Sequence, residues 1–586
     1  MSKIIGIDFG TTKAVAALMT GGQPAVIPDR EGRAHLPALV LATPEEDFFV
    51  GWEAQKHGRR YEREPVTINS IKRSLGKEAD KTWGWLHARP AAVAALILAR
   101  LKLEVEHALG AEVTRAVVAT PAHYEINQRW AVKQAAEAAG LEVLRLINEA
   151  TAAALAYQHV RGGRRDEQLV VFDFGGGTLD VSVVEIGEGV CEVRATAGAG
   201  RLGGDDFDEL LVDFCLTEAR KQHGALKPLG AFQYLALREA AVRAKIELSA
   251  APESRVYVPG LLQTEAGAFV ELDVTVSREQ FCASAQTFFA TAESVLQRAL
   301  KDADVKRPDA ALLIGGTSRI PAVRDLVRRT LGMEPFVGVN PETCVAQGAA
   351  VLGGVLSGTT DLLLLDTCPN TLSVGTLGGA VTALIPRNTT LPTRKSETFT
   401  TARDNQTEIE VSIYEGERPL ADDNVFIGEV KLSGIPPAPR GVPQIDVTFD
   451  LDASGTIRVA AKDMGTGRET KAEMRAPFRL APAELELITA LVRDETAKAR
   501  ARLARAEESA RAEAARREVA HWAQVIEEFL ARHAEALTAE QAARLRGGAL
   551  LLTDFHERGA PAEELRRLCQ GLAREMDDIA GALPAG

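Results

Sequence analysis

The sequence predicts a multidomain protein in which a large α/β part is followed by an antiparallel sheet and then by helices. The chain has 586 residues, which is too long for a single hydrophobic core. Strand and helix patterns alternate up to about residue 358, as is typical of α/β architecture. The apolar period changes to two between about 368 and 476, and helical periodicity begins after Pro482.

The composition is that of an ordinary soluble globular protein, with 46% hydrophobic and 25% charged residues. A net charge of −13 argues against nonspecific binding of nucleic acid. The six cysteines include no CxxC pair, so the sequence predicts neither a disulfide framework nor a zinc site. The chain enters a strand without a targeting leader and has no apolar run of membrane length. We therefore expect a cytoplasmic protein with no membrane or nucleic-acid partner.

The α/β part carries one short glycine-rich signature twice. The copies are Asp8-Phe9-Gly10-Thr11-Thr12 and Asp173-Phe174-Gly175-Gly176-Gly177-Thr178. In each copy apolar residues run up to the aspartate and resume after the threonine, which predicts strand, tight turn and strand. Glycine lets backbone N–H groups approach phosphate oxygens, and aspartate supplies oxygen ligands for magnesium. Two such loops facing each other would hold a nucleotide polyphosphate and its magnesium from both sides.

Three further features of the α/β part have the chemistry of a nucleotide site. Lys72 could reach a γ-phosphate and Glu149 could orient an attacking water, although each residue taken singly is more often a surface charge. A glycine turn from Gly315 to Arg319 follows an apolar strand. A purine could lie against this turn, or it could be a plain strand-to-helix connection.

A second glycine pattern suggests a different class of protein. Gly198 to Gly203 matches the dinucleotide-binding signature G-x-G-x-x-G after a strand. That fingerprint also needs an acidic residue at the end of the next strand, about 20 residues further on. Here the corresponding region, Phe214 to Arg220, is predicted to lie inside a helix, so this interpretation is disfavoured. A Walker A sequence and the H-R-D of protein kinases are both absent.

Asp361 to Asp366 encloses four consecutive leucines. The pattern predicts either a buried strand or a linker that docks as a strand in one state only.

The sheet region alternates apolar and polar residues. Ile409, Val411 and Ile413 form one apolar set, and the residues from Ile445 to Leu451 form another before a turn at 452–455. This predicts antiparallel strands with one covered face.

The C-terminal region predicts a small helical bundle in which no chemistry is visible. Pro482 stands where a first helical residue should be, and Thr538 and Gln541 have the spacing of a capping box. Two apolar stripes follow helical spacing. They are Trp522, Val525, Ile526, Phe529 and Leu530, and Leu565, Leu568, Leu572, Met576 and Ile579.

Several blocks in order over residues 1 to about 500 resemble the heat shock protein 70 (DnaK-type chaperone) family, in a divergent bacterial-type form. They include IGIDFGTTKAV, IKRSLG, NEATAAALAY, VFDFGGGTLDVSVVE, LGGDDFD, AKIELS, IGGTSRIP, DLLLLD and EGERPLADDN. The resemblance implies an actin-like (ribonuclease H-like) α/β ATPase domain over 1–358 and an interdomain linker over 359–367. A β-sandwich peptide-binding domain over 368–476 and an α-helical lid bundle over 477–586 would follow.

The resemblance also assigns roles in an ATP/ADP and Mg²⁺ site. Asp8 and Asp173 would hold the magnesium water shell, Lys72 would stabilise the transferred phosphoryl group, and Glu149 would align the water. The catalytic set is Lys72, Glu149, Asp173 and Thr178. The residues expected around the phosphates are Gly10, Thr11, Thr12, Gly175, Gly176, Gly177 and Thr178, and those around adenosine are Lys245, Ser249, Gly315, Gly316 and Arg319. Further cofactor-binding candidates are Lys13, Gly203, Gly204 and Thr317.

In the sheet region the resemblance implies a cleft for extended client peptides. Cleft positions are Leu372, Val374, Ile409, Val411 and Ile413, and the arch over the peptide is Leu377 and Ala402. Plain core packing would use the same cleft residues. Asp404 and Arg440 match a latch to the lid.

The family's allosteric positions and partners complete the resemblance. Pro121 and Arg129 match a relay to the linker, Arg145 matches a contact with a J-domain co-chaperone, and Asp366 lies in the linker. The implied partners are unfolded clients, a J-domain protein and a GrpE-like nucleotide exchange factor. ATP would favour docking of the linker, and hydrolysis would release it and trap the client.

The sequence departs from the family pattern around the glycine-rich loops. Lys13, Ala150 and Val242 replace a small polar residue, a proline and a ribose-contacting glutamate. With Val242 in place of the ribose-contacting glutamate, loss of a hydrogen bond to a charged group costs about 1.5–3 kcal/mol, so nucleotide affinity is expected to fall roughly 10- to 100-fold. This keeps open a nucleotide-gated scaffold or holdase with negligible hydrolysis. A small-molecule kinase of the same fold is a third alternative.

Other departures concern partner surfaces. His123, Glu125 and Ile126 replace the usual Tyr, Asn and Asp near the J-domain surface. The stretch from Lys72 to Pro121 is short, which indicates a trimmed peripheral subdomain. The chain ends without an E-E-V-D motif, so co-chaperones that read that ending are not expected.

Overall fold

In this computed structural model the described residues are 3–45, 47–57, 65–77, 80–162, 166–187, 190–358, 363–452, 456–473, 480–558 and 562–582. They divide into two compact units, residues 1–496 and 497–586.

The elements up to residue 162 surround the first glycine-rich loop. The strands are β1 (Ile4–Phe9), β2 (Lys13–Thr20), β3 (Gln23–Val26), β4 (Leu36–Pro37), β5 (Val40–Ala42), β6 (Phe48–Val50), β7 (Val66–Ile68), β8 (Lys81–Trp83), β9 (Leu86–Ala88), β10 (Arg115–Thr120) and β11 (Glu142–Asn148). The helices are α1 (Trp52–His57), α2 (Pro90–Leu109), α3 (Ile126–Ala138) and α4 (Glu149–Arg161), with a 3₁₀ turn at Ile71–Arg73.

The elements of the following region surround the second loop. The strands are β12 (Glu167–Phe174), β13 (Leu179–Gly187), β14 (Val190–Ala199), β15 (Glu253–Gln263), β16 (Phe269–Ser277), β17 (Ala310–Ile314) and β18 (Leu363–Leu365). The helices are α5 (Gly204–His223), α6 (Ala231–Leu248), α7 (Arg278–Ser284), α8 (Gln286–Asp302), α9 (Pro321–Leu331) and α10 (Cys344–Leu356), with a 3₁₀ turn at Gly316–Arg319.

The two halves repeat one strand arrangement around their loops. The first sheet has the order β11-β10-β1-β2-β3, with β4 also on β2, and the second has the order β17-β12-β13-β14-β18. In each sheet the strand before the loop pairs antiparallel with the strand after it, and parallel with β10 or β17 on its other side. The predicted strand-turn-strand units are therefore confirmed in both copies.

Helices α4 and α10 join the two sheets through a core of small residues. Ala152, Ala153 and Ala349 are buried there with strand residues from both sheets. A Cβ on Gly348 of α10 would lie 1.7 Å from the carbonyl oxygen of Ala152, so only glycine allows these helices to pack this closely. The start of α4, which carries Glu149, is thereby fixed between the sheets.

The pattern Gly198 to Gly203 connects β14 to α5. Residues 214–220 lie within α5, as predicted, and not at the end of a strand. A Cβ on Gly203 would lie 2.5 Å from the carbonyl carbon of Gly176, so this glycine allows close packing against the second glycine-rich loop.

The leucine-rich segment forms a strand where it is described. Strand β18 pairs in parallel with β14 and extends the second sheet at its edge. Residues 361 and 362 lie outside the described residues. Both sequence interpretations contained a strand, and this arrangement is compatible with either one.

The region after β18 consists of antiparallel strands, as the period of two predicts. They are β19 (Leu372–Gly375), β20 (Val381–Ile385), β21 (Thr393–Phe399), β22 (Glu408–Glu415), β23 (Val425–Ser433), β24 (Ile445–Leu451), β25 (Ile457–Asp463) and β26 (Glu469–Glu473). They form two four-stranded sheets, β20-β19-β22-β23 and β21-β24-β25-β26, that share one apolar core. Most of the predicted turn at 452–455 lies outside the described residues.

Three helices follow the sheets: α11 (Pro482–Arg532), α12 (Ala539–Glu557) and α13 (Ala562–Ala582). Helix α11 begins at Pro482 as predicted, and Thr538 and Gln541 make both hydrogen bonds of a capping box. In the unit of residues 497–586, the two predicted stripes pack together, with Ile526 and Leu572 in the same buried cluster. Within the described residues, every helix is too short or too polar to cross a membrane.

Candidate functional site

The two glycine-rich loops face each other, and each is closed by the same kind of backbone hydrogen bond. The N–H of Gly10 donates to the carbonyl of Lys13 at 2.9 Å, and the N–H of Gly175 donates to the carbonyl of Thr178 at 3.0 Å. A Cβ on Gly177 would lie 2.6 Å from Thr11 Oγ1. The structure therefore brings both loops, with their backbone N–H groups and threonines, to one cleft between the sheets.

Lys72 and Glu149 form a buried ion pair beside these loops. The Nζ of Lys72 lies 2.7 Å from Oε1 of Glu149, and the side chains are 4% and 10% exposed. Lys72 belongs to the 3₁₀ turn at Ile71–Arg73, and Glu149 is the first residue of α4. The alternative that each is an ordinary surface charge is wrong, because two charges are buried here only as a pair.

Asp8 and Asp173 place an excess of negative charge in the cleft. Burial raises the pKa of Asp8 to about 7, with repulsion from Glu149 adding to the rise and Lys72 opposing it. Burial also raises the pKa of Asp173 well above its ordinary value, and repulsion from Glu149, Asp180 and Asp8 adds to this rise. A cation would relieve this repulsion.

The carboxylates therefore fit a magnesium ion held partly by water and phosphate oxygens. Within the part of the chain that the structure describes, no three histidine, cysteine or carboxylate side chains are grouped as a direct metal site. The second oxygen of Asp180 is buried without a hydrogen-bond partner among the described residues. Sequence reasoning missed Asp180, although it follows the second loop directly.

The other residues predicted to bind the nucleotide partly converge on the second loop. The hydroxyl of Thr317 donates to the carbonyl of Gly175 at 2.8 Å, and Lys245 donates to the carbonyl of Gly204 at 3.0 Å. Lys245 Nζ also lies 2.6 Å from Asp208 Oδ1. The hydroxyl of Ser249 donates to the carbonyl of Lys245 at 3.3 Å and is one turn further along.

The turn after β17 leaves open space next to the same loop. Gly315 has φ 79, and a Cβ there would lie 2.3 Å from the carbonyl oxygen of Phe174. A Cβ on Gly316 would meet no atom within 4 Å. This side of the turn is therefore open, which is compatible with either sequence interpretation of the turn.

Lys13 and Arg319 are joined across the cleft by one carboxylate that the sequence did not indicate. Glu342 Oε2 lies 2.6 Å from Lys13 Nζ, and its Oε1 accepts a hydrogen bond from Arg319 Nε at 3.0 Å. Burial acts to raise the pKa of Glu342, but the hydrogen bond and charge of Lys13, with Arg319, hold the pKa below its ordinary value. The departure at Lys13 therefore creates an ionic link between β2 and the turn after β17.

The start of α4 is also bonded to the leucine-rich segment. Asp366 is 3% exposed, and its Oδ1 accepts hydrogen bonds from Asn148 Nδ2 at 2.9 Å and from Thr151 Oγ1 at 2.8 Å. Arg129 donates to Asn148 Oδ1. Asn148 and Thr151, which the sequence did not single out, thus connect the predicted relay residue Arg129 with Asp366, next to Glu149.

Two other predicted allosteric residues lie near this network. Pro121 is buried directly after β10, and Arg145 lies in β11. The Nε of Arg145 is buried without a hydrogen-bond partner among the described residues.

The sheet pair packs against α3 through a second buried carboxylate. Glu415 Oε2 accepts a hydrogen bond from the N–H of Ile126 at 3.1 Å, and its Oε1 accepts one from Asn370 Nδ2 at 3.0 Å. Ile126 and Trp130 belong to the same apolar cluster as the sheet core. The departure at Ile126 therefore adds an apolar side chain to this interface.

The first turns of α11 also lie against the α/β part. Gln134 of α3 donates to the carbonyl of Leu480 at 3.1 Å and accepts from its N–H at 2.9 Å. Ile488 and Val492 are buried in the core that surrounds the first sheet, and Glu484 pairs with Arg89. The described part of the leucine-rich segment, the sheets and the first turns of α11 thus all belong to the unit of residues 1–496.

The predicted peptide-binding residues divide by exposure. Leu377 is 82% exposed, Ala402 is exposed and Ile409 is half-buried. The Asp404 carboxylate accepts a hydrogen bond from the N–H of Arg440 at 2.8 Å. The remaining four are in the sheet core and at most 3% exposed: Leu372, Val374, Val411 and Ile413.

Two of the remaining departures lie on helices. Ala150 is buried in the first turn of α4, and Val242 is half-buried on α6. His123 pairs with Asp180.

Docking of the sheet pair is expected to depend on pH through Glu415. Burial raises the pKa of Glu415 from its ordinary value of 4.5 to about 7, although hydrogen bonds from Asn370 and Ile126 act to lower it. The docked carboxyl therefore holds its proton more tightly than an exposed one, so docking strengthens as pH falls through about 7 and weakens as pH rises. We expect amide exchange of Leu363–Leu365, corrected for intrinsic rates and without nucleotide, to be faster at pH 8 than at pH 6.

The substitution Glu415→Gln should remove this pH dependence, because the amide does not titrate. Glu410→Gln, an exposed carboxylate on the same strand, is the matched control and should keep it. An unchanged pH dependence in Glu415→Gln would contradict the assignment.

The comparison with protein families agrees with this arrangement. The chain matches the family model described as Hsp70 protein over residues 4–583. Proteins of that family combine a nucleotide-binding part with a substrate-binding part, bind adenine nucleotides, usually with Mg²⁺, and act generally as chaperones and ATPases. Because the match covers nearly the whole chain, this protein belongs to the Hsp70 family.

Proposed function

We propose that this chain is an ATP-dependent molecular chaperone that binds and releases extended apolar segments of unfolded client proteins, with release gated by ATP hydrolysis. One observation carries the proposal. Glu149 lies in the cleft, and its neighbour Asn148 donates to Asp366 of the linker at 2.9 Å. A change at Glu149 would therefore reach the linker through a single residue.

The nucleotide would bind with its phosphates between the two glycine-rich loops and its base beside Gly316. Asp8 and Asp173 would hold magnesium, which when bound neutralises charge on the β- and γ-phosphates. The ammonium of Lys72 would offset charge on the transferred phosphoryl group, and Thr178 would donate to its oxygens. Glu149, fixed by its 2.7 Å contact with Lys72, would accept a hydrogen bond from the attacking water.

Client segments would bind the sheet pair in extended form. Such clefts hold the peptide backbone by hydrogen bonds and take one apolar side chain into a pocket. Leu377 and Ala402 would form the arch over the segment. The cleft itself would be built from Leu372, Val374, Ile409, Val411 and Ile413.

The docked arrangement corresponds in this proposal to the ATP-bound state, in which clients exchange quickly. Leu480, which precedes α11, and Ile488 and Val492 in its first turns lie on the α/β part. Hydrolysis would release the linker and the sheets from the α/β part and close the peptide-binding cleft. To shift the docked state from 1:99 to 99:1, ATP must bind it more tightly by about 5.5 kcal/mol.

We assign residues 1–358 to an actin-like ATPase domain, 359–367 to the linker, 368–476 to a β-sandwich and 477–586 to a lid. A J-domain co-chaperone would bind near Arg145, and a GrpE-like exchange factor would open the nucleotide cleft. We place the protein in the cytoplasm as a divergent, bacterial-type member.

Substitution of Lys72 tests the catalytic assignment. Lys72→Ala should lower single-turnover hydrolysis of ATP about 100-fold, because a positioned charge on the phosphoryl group is lost. Thr178→Ala should also slow hydrolysis. Lys221→Ala, an exposed lysine on α5, is the control and should leave turnover unchanged. Turnover unaffected by Lys72→Ala would exclude this site as the catalytic one.

The same assay separates the chaperone from a nucleotide-gated scaffold. An extended apolar peptide should stimulate hydrolysis by the unmodified chain, because client binding and hydrolysis are coupled through Asp366. ATP binding without hydrolysis, with or without peptide, would instead support the scaffold.

The link through Glu342 should slow nucleotide release. Lys13→Ala should speed ADP dissociation up to about fivefold, the effect of a partly exposed ion pair worth at most about 1 kcal/mol. The difference from the unmodified chain should shrink at high salt. Lys306→Ala, an exposed lysine, is the control. Dissociation rates equal for Lys13→Ala and Lys306→Ala would contradict the link.

A further inference from the structure

His123 lies at the edge of the cleft, in the turn between β10 and α3. Its Nδ1 lies 2.5 Å from Oδ1 of Asp180, so the Nδ1–H donates a hydrogen bond to this carboxylate oxygen. The side chain of His123 is 23% exposed and that of Asp180 is 5% exposed. The neighbouring Tyr124 contacts the His123 ring edge-on, and its hydroxyl donates to the carbonyl of Lys72 at 3.0 Å. One turn therefore holds both His123 and the backbone that carries Lys72.

Asp180 lies beside the residues that face the phosphate site. It is directly opposite Asp173 in the antiparallel pair of β12 and β13, so both carboxylates project from the same face of the sheet. His123 bonds only Oδ1, and Oδ2 of Asp180 is buried without a partner among the described residues. A buried oxygen without a partner indicates a ligand or water that completes its bonding.

The charges around His123 raise its pKa. Burial acts to lower the pKa of His123, but Asp180 and its hydrogen bond, together with Glu149, outweigh burial and Lys77 and hold the pKa above its ordinary value. The carboxylates of Asp180 and Glu149 therefore favour the protonated form of the His123 ring.

We propose that His123 is a positioning residue for ATP hydrolysis, which holds Asp180 by Oδ1 so that Oδ2 accepts a hydrogen bond from the attacking water. The inference rests on the proposed ATPase function. Asp180 would act from the β13 side and Glu149 from α4, so that the water is held by two carboxylates.

Two substitutions at His123 test the role of its Nδ1–H. His123→Phe removes the donor and keeps a ring, whereas His123→Asn keeps a nitrogen donor near the position of Nδ1. We expect His123→Phe to lower the single-turnover rate about 10-fold or more with the Kd for ATP changed less than about threefold, because a hydrogen bond to a charged group is lost. His123→Asn should recover most of the rate. In the Asp180→Asn background, His123→Phe should cause little further loss.

Titration of His123 by NMR gives a readout that does not depend on turnover. In the nucleotide-free chain the His123 resonance, identified by its absence in His123→Phe, should titrate at lower pH when Asp180→Asn is introduced. Circular dichroism and thermal unfolding show whether each variant is folded.

Three outcomes would overturn the inference. They are a His123→Phe rate within twofold of the unmodified chain, equal losses in His123→Phe and His123→Asn, and a His123 titration that Asp180→Asn does not move. Hydrolysis that is absent from the unmodified chain would overturn the proposed function itself, whereas hydrolysis that is indifferent to His123 would overturn this inference alone.

Discussion

The docked structure depends on the buried carboxylate of Asp366. A carboxylate removed from water is costly unless hydrogen bonds satisfy it, and here Asn148 and Thr151 supply them. Both donors belong to the first turn of α4 and its cap, where Glu149 enters the cleft. The linker can therefore stay buried only while the start of α4 keeps this position. This requirement gives the linker a physical reason to respond to events in the cleft.

Buried carboxylates recur at both ends of this connection. In the cleft, Asp8 and Asp173 repel each other and Glu149, and a nucleotide with its magnesium would remove that repulsion. At the sheet interface, burial makes Glu415 hold its proton more tightly than an exposed glutamate would. The cleft carboxylates thus favour an arrangement that binds a cation, and Glu415 favours an arrangement in which it is protonated. The ligand selects the state by its difference in affinity for the two arrangements.

The paired loops and the alternating strands could be predicted from the sequence because they depend on neighbours in the chain. Glycines, threonines and apolar periods lie within a few residues of one another, so their pattern is local. The same local pattern at Gly198 to Gly203 was ambiguous, because glycine serves close packing against Gly176 as well as phosphate binding. Only the position of the next helix excluded the dinucleotide interpretation.

The remaining contacts could not be predicted because they join residues far apart in the chain. Lys13 and Glu342 are separated by 329 positions, and Asn148 and Asp366 by 218. Glu415 and Ile126 are similarly distant, and their pairing depends on how the sheets dock. The local sequence around a glutamate at the end of a strand does not identify such a distant partner. The resemblance to a family identified the cleft, whereas the bonds specific to this chain required the structure.

Hydrogen exchange at Leu363–Leu365, compared between ATP and ADP, shows whether the bound nucleotide controls the linker. These amides should exchange slowly with ATP and fast with ADP. In Asn148→Ala the exchange should be fast with both nucleotides, while ATP still binds. Equal protection with ATP and ADP, or protection that survives Asn148→Ala, would contradict the claim that the cleft controls the linker through Asp366.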